Sequence, residues 1–218
     1  MLSDNNVNNP PLNTTCRLCQ LGEESVFHLL SNCSYLAPTA YKKRHDDALK
    51  CFFFPLLKLY GFISKTPHWY TWETIKPMYE NERVNIYWDI PEYTGNDKET
   101  LNTRLKRPDG KICLREEKKI YLVEMSVPWI CLRHEKYEYK ARKYDDIKSK
   151  LKIDHPDYKI EQITIIMDVF GGYENNLSEN IEKVINDKIE TRRIIRNMQK
   201  SIITNEAHIA RTFKVKNL

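Results

Sequence analysis

No apolar run among the 218 residues approaches the length needed to cross a bilayer, so the sequence predicts neither a membrane span nor a membrane partner. The opening stretch, Met1 to Pro11, lacks the basic and apolar regions of a secretory signal, and an intracellular, reducing setting is therefore expected. Internal repeats and low-complexity tracts are missing too, which excludes solenoid and fibrous architectures. What is present is enough for a core. An apolar share of 41% with 11% aromatic residues suits one substantial domain plus a small appendage.

The net charge of +5 conceals segregation along the chain. Residues 1–100 carry 10 basic and 12 acidic side chains, whereas 101–152 carry 15 basic and 8 acidic. A cationic middle of this kind attracts phosphate by counterion release, and a solvated helix face gives the same count.

Residues 1–15 are polar and contain Pro10-Pro11, the pattern of a flexible leader. Between Tyr41 and Tyr60, Leu49, Phe52, Phe53, Leu56 and Leu57 recur at helical spacing, with Pro55 expected to kink or shorten the helix. Ile86 to Ile90 is a candidate strand. Lys111–Leu114, a charged turn at Glu116-Glu117 and Ile120–Val127 predict a hairpin whose second strand is apolar on both faces. One long charged helix is expected from His134 to Leu151, then a buried strand at Ile160–Val169 broken by Gly171-Gly172. A helix over Ser178–Lys200 and a short one after Thr204 complete the chain. This order predicts an α/β (α+β) fold with a mixed sheet flanked by helices.

Cys16, Cys19, His28 and Cys33 follow a C-x2-C-x8-H-x4-C spacing that offers four ligands suited to tetrahedral, structural Zn2+. Residues 16–36 thus form a candidate zinc-knuckle-like module, too small to build a core without metal. The alternative is a set of unlinked thiols, the expected state of Cys51, Cys113 and Cys131. Lys42, Lys43, Arg44 and His45 suit phosphate contacts, although a solvated helix start explains them equally well.

Glu124 interrupts an apolar strand, and a buried carboxylate must be partnered, protonated or bound to a cation. If Glu116 and Glu117 occupy the centre of the turn, Asp109 falls opposite Glu124, with Cβ atoms roughly 5 Å apart. Such a pair suits Mg2+ or Mn2+. A bulge would shift the register, and Asp109-Gly110 can also be a plain turn dipeptide. The stripe Tyr137, Tyr144, Ile147 and Leu151 carries Lys140 on its face. That lysine either snorkels to the edge or reaches the carboxylates, with Lys136 and Lys143 as substitutes.

Arg107-Pro108-Asp109, then Glu124 after 14 intervening residues, then Lys140-Ala141-Arg142-Lys143-Tyr144, resembles the restriction-like endonuclease of site-specific non-long-terminal-repeat retrotransposons, of the PD-(D/E)XK nuclease fold. Ser126 stands at that family's usual lysine position, so the resemblance requires its displaced arrangement, with Lys140 supplied by the following helix. Trp88-Asp89-Ile90-Pro91, the cysteine cluster and the Arg44-His45 pair extend the likeness over Cys16 to Arg211.

The resemblance implies a restriction-endonuclease-like domain over residues 37–218 that nicks DNA with Asp109, Glu124 and Lys140 as catalytic residues. It further implies that Asp109 and Glu124 bind Mg2+ or Mn2+, and that Arg44, His45, Arg107 and Lys143 contact nucleic acid. Expected partners are DNA, element RNA and a reverse transcriptase encoded elsewhere, in the nucleus. Tyr144-Asp145-Asp146 lacks the spacing of a polymerase motif. Two alternatives stay open: a catalytically inactive, zinc-containing remnant that binds nucleic acid, and a repair or junction nuclease of the same fold.

Overall fold

Apolar residues three and four apart give the helix Lys42–Leu59 (α1) a wide buried face, formed by Ala48, Leu49, Phe52, Phe53, Leu56 and Leu57. The structure is a computed structural model that describes residues 14–93 and 105–215. Of the kink or shortening expected at Pro55, the shortening does not occur, since α1 continues to Leu59. Proline withholds one amide from the carbonyl of Cys51, but the phenylalanines and leucines on either side are anchored in the core and hold the turn.

Beyond α1 come β1 (Met78–Glu80), β2 (Val84–Trp88), β3 (Glu92–Tyr93), β4 (Leu105–Lys106), β5 (Gly110–Leu114) and β6 (Lys119–Ser126). Helices α2 (Arg133–Arg142) and α3 (Asp145–Asp154) lead to β7 (Lys159–Ile166), and α4 (Asn176–Ile185) and α5 (Lys188–Val215) follow. The main sheet is mixed and five-stranded, in the order β1-β2-β5-β6-β7; β3 and β4 pair separately. Neighbours are antiparallel except β6 and β7, which run parallel because α2 and α3 carry the chain across a face of the sheet.

Period-two alternation sorts β6 between two cores. Tyr121, Val123 and Met125 pack with α1, α4 and α5, while Ile120 and Leu122 meet Tyr144, Ile147 and Leu151 on the other face. Glu124 shares the parity of Ile120 and Leu122, so it points to the side of α2 and α3. Gly110 lies so close to α1 that an added β-carbon would stand 2.3 Å from the Phe53 ring.

Two helix boundaries differ from expectation. The single helix predicted over His134–Leu151 is broken at Lys143-Tyr144, which turns Tyr144 into the core. The C-terminal break falls at left-handed Asn186, and α5 then runs unbroken past Thr204. Asp187 begins α5 by accepting hydrogen bonds from the amides of Ile189 (2.8 Å) and Glu190 (3.0 Å).

The expected leader lies, as far as residue 13, outside the described residues. Thr15 already belongs to the cysteine module, where it bridges Glu23. That module is not free-standing, since Cys16, Leu30, Cys33 and Leu36 share a core with Val169 and Ile209. Among the described residues, no helix is long and apolar enough to cross a membrane.

Candidate functional site

In the cysteine module, a turn in which the Gln20 amide donates to the Cys16 carbonyl (2.9 Å) brings Cys16 and Cys19 together. The amide of Cys16 in turn donates to the carbonyl of Gly22 (2.7 Å). Gly22 is needed where it stands, because a β-carbon there would lie 2.9 Å from the His28 ring. The return limb is held by Tyr41, whose hydroxyl donates to the Leu29 carbonyl (2.7 Å) and accepts from the Cys33 amide (3.1 Å). As a result, the ligand atoms of Cys16, Cys19, His28 and Cys33 all lie within 4.8 Å of one another, with Cys19 Sγ 3.2 Å from His28 Nε2.

Three thiols and an imidazole so gathered can hold a metal ion and are compatible with structural zinc. The thiols are unlike in acidity. Burial raises Cys33 to about 11. At Cys19 burial also acts upward, but hydrogen bonds from the Leu21 backbone, Cys16 and His28 outweigh it and bring the thiol to about 6.

The second site is built on the β5–β6 hairpin. Gly110 pairs with Val123 and Leu114 with Lys119, so the next pair outward is Asp109 opposite Glu124, in the register that a turn centred on Glu116-Glu117 requires. Asp109 Oδ2 accepts from the Met125 amide (2.6 Å) and lies 3.1 Å from His45 Nε2. Glu124 is 1% exposed, and its charge is matched from the crossover helices. Lys140 Nζ and Lys143 Nζ both donate to Oε1, the latter at 2.8 Å. The Tyr144 hydroxyl stands 2.5 Å from Oε2 and 2.8 Å from the Arg107 carbonyl.

Lys140, Lys143 and Tyr144 stand three and four residues apart, the spacing of one helix face, so all three reach the same carboxylate, and the break between α2 and α3 falls at the last two of them. Burial, and then the charge of Glu124, pushes the Tyr144 phenol well above its ordinary range. His45 is pulled down by burial, yet hydrogen bonds with Asp109 and Asp46 prevail and hold it at about 9.

Glu124 therefore meets Lys140, Lys143 and Tyr144, while Asp109, across the hairpin, meets the Met125 amide and His45 from α1, which does not stand free for phosphate. Arg107 is exposed and bonds to Asp89, its Nε lying 2.9 Å from the carbonyl and 3.0 Å from Oδ1. Arg44 requires a correction. Expected to touch nucleic acid, it is 3% exposed, donating to Glu206 on α5 and to the carbonyls of Leu30 (2.6 Å) and Val127 (3.3 Å). It bolts the cysteine module to the helices, because the turn of α1 that bears it faces inward. Burial raises Glu206 to about 7, with Arg44 only partly offsetting it.

Sequence reasoning missed three participants. Tyr144 reads as a core aromatic, and only its hydroxyl marks it out. His45 reads as part of a basic patch. Gln162 on β7 donates to the Lys140 carbonyl (2.7 Å) and to Thr164 Oγ1 (3.1 Å), while its buried Oε1 meets no protein donor among the described residues.

Two carboxylates can supply part of a hard-metal shell, water and substrate oxygens completing it. Among the described residues, the cysteine module is the one group of three or more metal-ligating side chains close enough to share an ion. No protein-family model matches the chain, and no curated protein matches it.

Proposed function

We propose that the chain is a divalent-metal-dependent DNA endonuclease with a restriction-like, PD-(D/E)XK arrangement, related to the C-terminal region of non-long-terminal-repeat retrotransposon proteins. The observation that carries this reading is the register that sets Asp109 opposite Glu124 on one hairpin, with Lys140 and Lys143 of the following crossover donating to Glu124. The order α1, antiparallel β2-β5-β6, crossover helices and parallel β7 supports it; Ser126 departs from the usual strand lysine, so the reading requires the displaced arrangement with Lys140.

On this reading Asp109 and Glu124 hold Mg2+ or Mn2+, which when bound supplies Lewis acidity and makes water a better nucleophile. His45 and the Met125 amide orient Asp109, and Tyr144 fixes one oxygen of Glu124. Lys140 and Lys143 place positive charge where a phosphate gathers negative charge during hydrolysis. The zinc module braces the fold beside this site. Element RNA and a separately encoded reverse transcriptase are its proposed partners, and the nucleus its proposed place of action.

One observation favours a second reading, a non-cutting, zinc-containing nucleic-acid-binding remnant. Both lysines and the tyrosine already satisfy Glu124, which is how a purely structural buried ion cluster would look. Incubating the purified chain with supercoiled plasmid, with and without Mg2+ or Mn2+, separates the two. Nicking that needs the metal and disappears in Asp109→Ala supports the nuclease; a chain that binds the plasmid and leaves it intact at every metal and salt condition supports the remnant.

A further inference from the structure

Half a turn round α1 from His45, the helix presents a different surface. At about 100° per residue, Lys43, Asp47, Lys50, Phe54 and Lys58 form a stripe roughly opposite His45. Along this stripe the irregular segment 65–73 and α5 enclose a groove. At its Lys58 end lies a hollow of about 450 Å³ flanked by Lys50, Lys58, Lys65 and Arg193, with no carboxylate among its lining residues. Lys58 and Lys65 make no ion pair among the described residues, whereas Arg193 is shared with Glu190 and Lys50 lies 3.7 Å from Asp47. The Thr66 hydroxyl in the same wall is buried without a partner among the described residues.

The other end is aromatic. Adjoining hollows share Tyr70 and Trp72, which are 64% and 86% exposed. His68 stacks on Tyr70 at 5.3 Å with the rings 8° from parallel, and Lys43 lies 5.4 Å from the centre of the Trp72 ring. Asp46, Asp47 and Glu73 line the hollows at this end, where Lys42 and Lys43 offset the two aspartates, and Glu190 sits beside Arg193 at the other. From Lys43 to Lys58 the helix rises about 22 Å, longer than a single nucleotide.

From this pairing of flat, solvent-facing rings with a cationic hollow in which Lys58 and Lys65 make no ion pair among the described residues, we infer that the α1–α5 groove binds unpaired nucleotides of a single-stranded nucleic acid. Bases stack on Trp72 and Tyr70, and backbone phosphates lie toward Lys58, Lys65 and Arg193. Duplex bases are closed to such rings by their own stacking, so the groove selects strands that are already open. Apart from Asp46, which also bonds to His45, the groove shares no lining residue with the carboxylate centre, and the inference stands whether or not the chain cuts DNA.

The test measures binding of a fluorescein-labelled oligothymidylate, roughly a dozen nucleotides long, to the full chain by fluorescence anisotropy without added Mg2+. The same strand in a duplex and free thymidine monophosphate are run beside it. Trp72→Ala/Tyr70→Ala and Lys58→Glu/Lys65→Glu alter exposed side chains, and an unchanged circular dichroism melt verifies folding. Each double variant should weaken single-strand binding by about tenfold or more and leave duplex binding within about twofold. Variants that bind the oligonucleotide like the parent chain would overturn the inference. So would equal losses on the duplex, which would make the groove a duplex cradle, or displacement by micromolar thymidine monophosphate, which would make it a pocket for free nucleotides.

Discussion

Removing one hydroxyl, in Tyr144→Phe, probes how Glu124 is held. Tyr144 is fully enclosed and Glu124 is 1% exposed, so water cannot replace a lost partner without reorganising the break between α2 and α3. The contact at 2.5 Å is charge-assisted, and such bonds contribute about 1.5–3 kcal/mol net. The hydroxyl-sized void left behind adds a few tenths of a kcal/mol at most. Both lysines donate to Oε1, and among the described residues the phenol is the donor that Oε2 has. The substitution should therefore cost about 2–3 kcal/mol. In urea, with a slope of about 2–3 kcal/mol/M for a chain of this size, that moves the midpoint by roughly 1 M with the slope unchanged. Tyr137→Phe is the control, since that hydroxyl has no protein partner among the described residues, and it should shift stability by less than about 0.5 kcal/mol. A Tyr144→Phe chain as stable as the control would refute the claim that the phenol is an obligatory partner of Glu124.

Glu206 sets a pH dependence. Its folded pKa of about 7 lies above the ordinary 4.5, so the folded chain favours the protonated acid. Its contribution is intact below about pH 4.5 and is lost as pH rises through about 7, a change on the order of 3 kcal/mol. Glu206→Gln should abolish this component, so that the stability difference between variant and parent changes by that amount between about pH 5 and pH 8; a constant difference would count against it. For the cysteine module, elemental analysis should find zinc bound to the purified chain, and Gly22→Ala, which crowds the His28 ring, should weaken zinc affinity about tenfold or more in a chelator competition. Undiminished affinity would mean that the ring is not a ligand.

The hairpin was legible in the sequence because its register depends on local information: a charged turn between two apolar runs fixes which residues face each other, and Asp109 and Glu124 follow. The cysteine module was legible for the same reason, its spacing being a local property. The break between α2 and α3 was not, since helical periodicity continues through Lys143-Tyr144 and only the distant pull of Glu124 and Arg107 on the Tyr144 hydroxyl marks it. Arg44 was misread because its partner Glu206 lies 162 residues further along, beyond the reach of any window. The boundary at Asn186-Asp187 did carry a local sign, an aspartate three residues before Glu190, the spacing of a helix start.

The parallel pairing of β6 with β7 also has a consequence in time. Asp109 and Glu124 sit on one hairpin and can meet as soon as that hairpin closes, an event of microseconds. Lys140, Lys143 and Tyr144 ride on the crossover, whose position is fixed only when β7 docks, and pairings of such sequence separation form late. For that interval Glu124 faces Asp109 without the two lysines that match its charge. A divalent cation or a polyanion-bound cation cloud present during synthesis would act on this half-built hairpin, so the ionic surroundings of the nascent chain bear on how readily it matures.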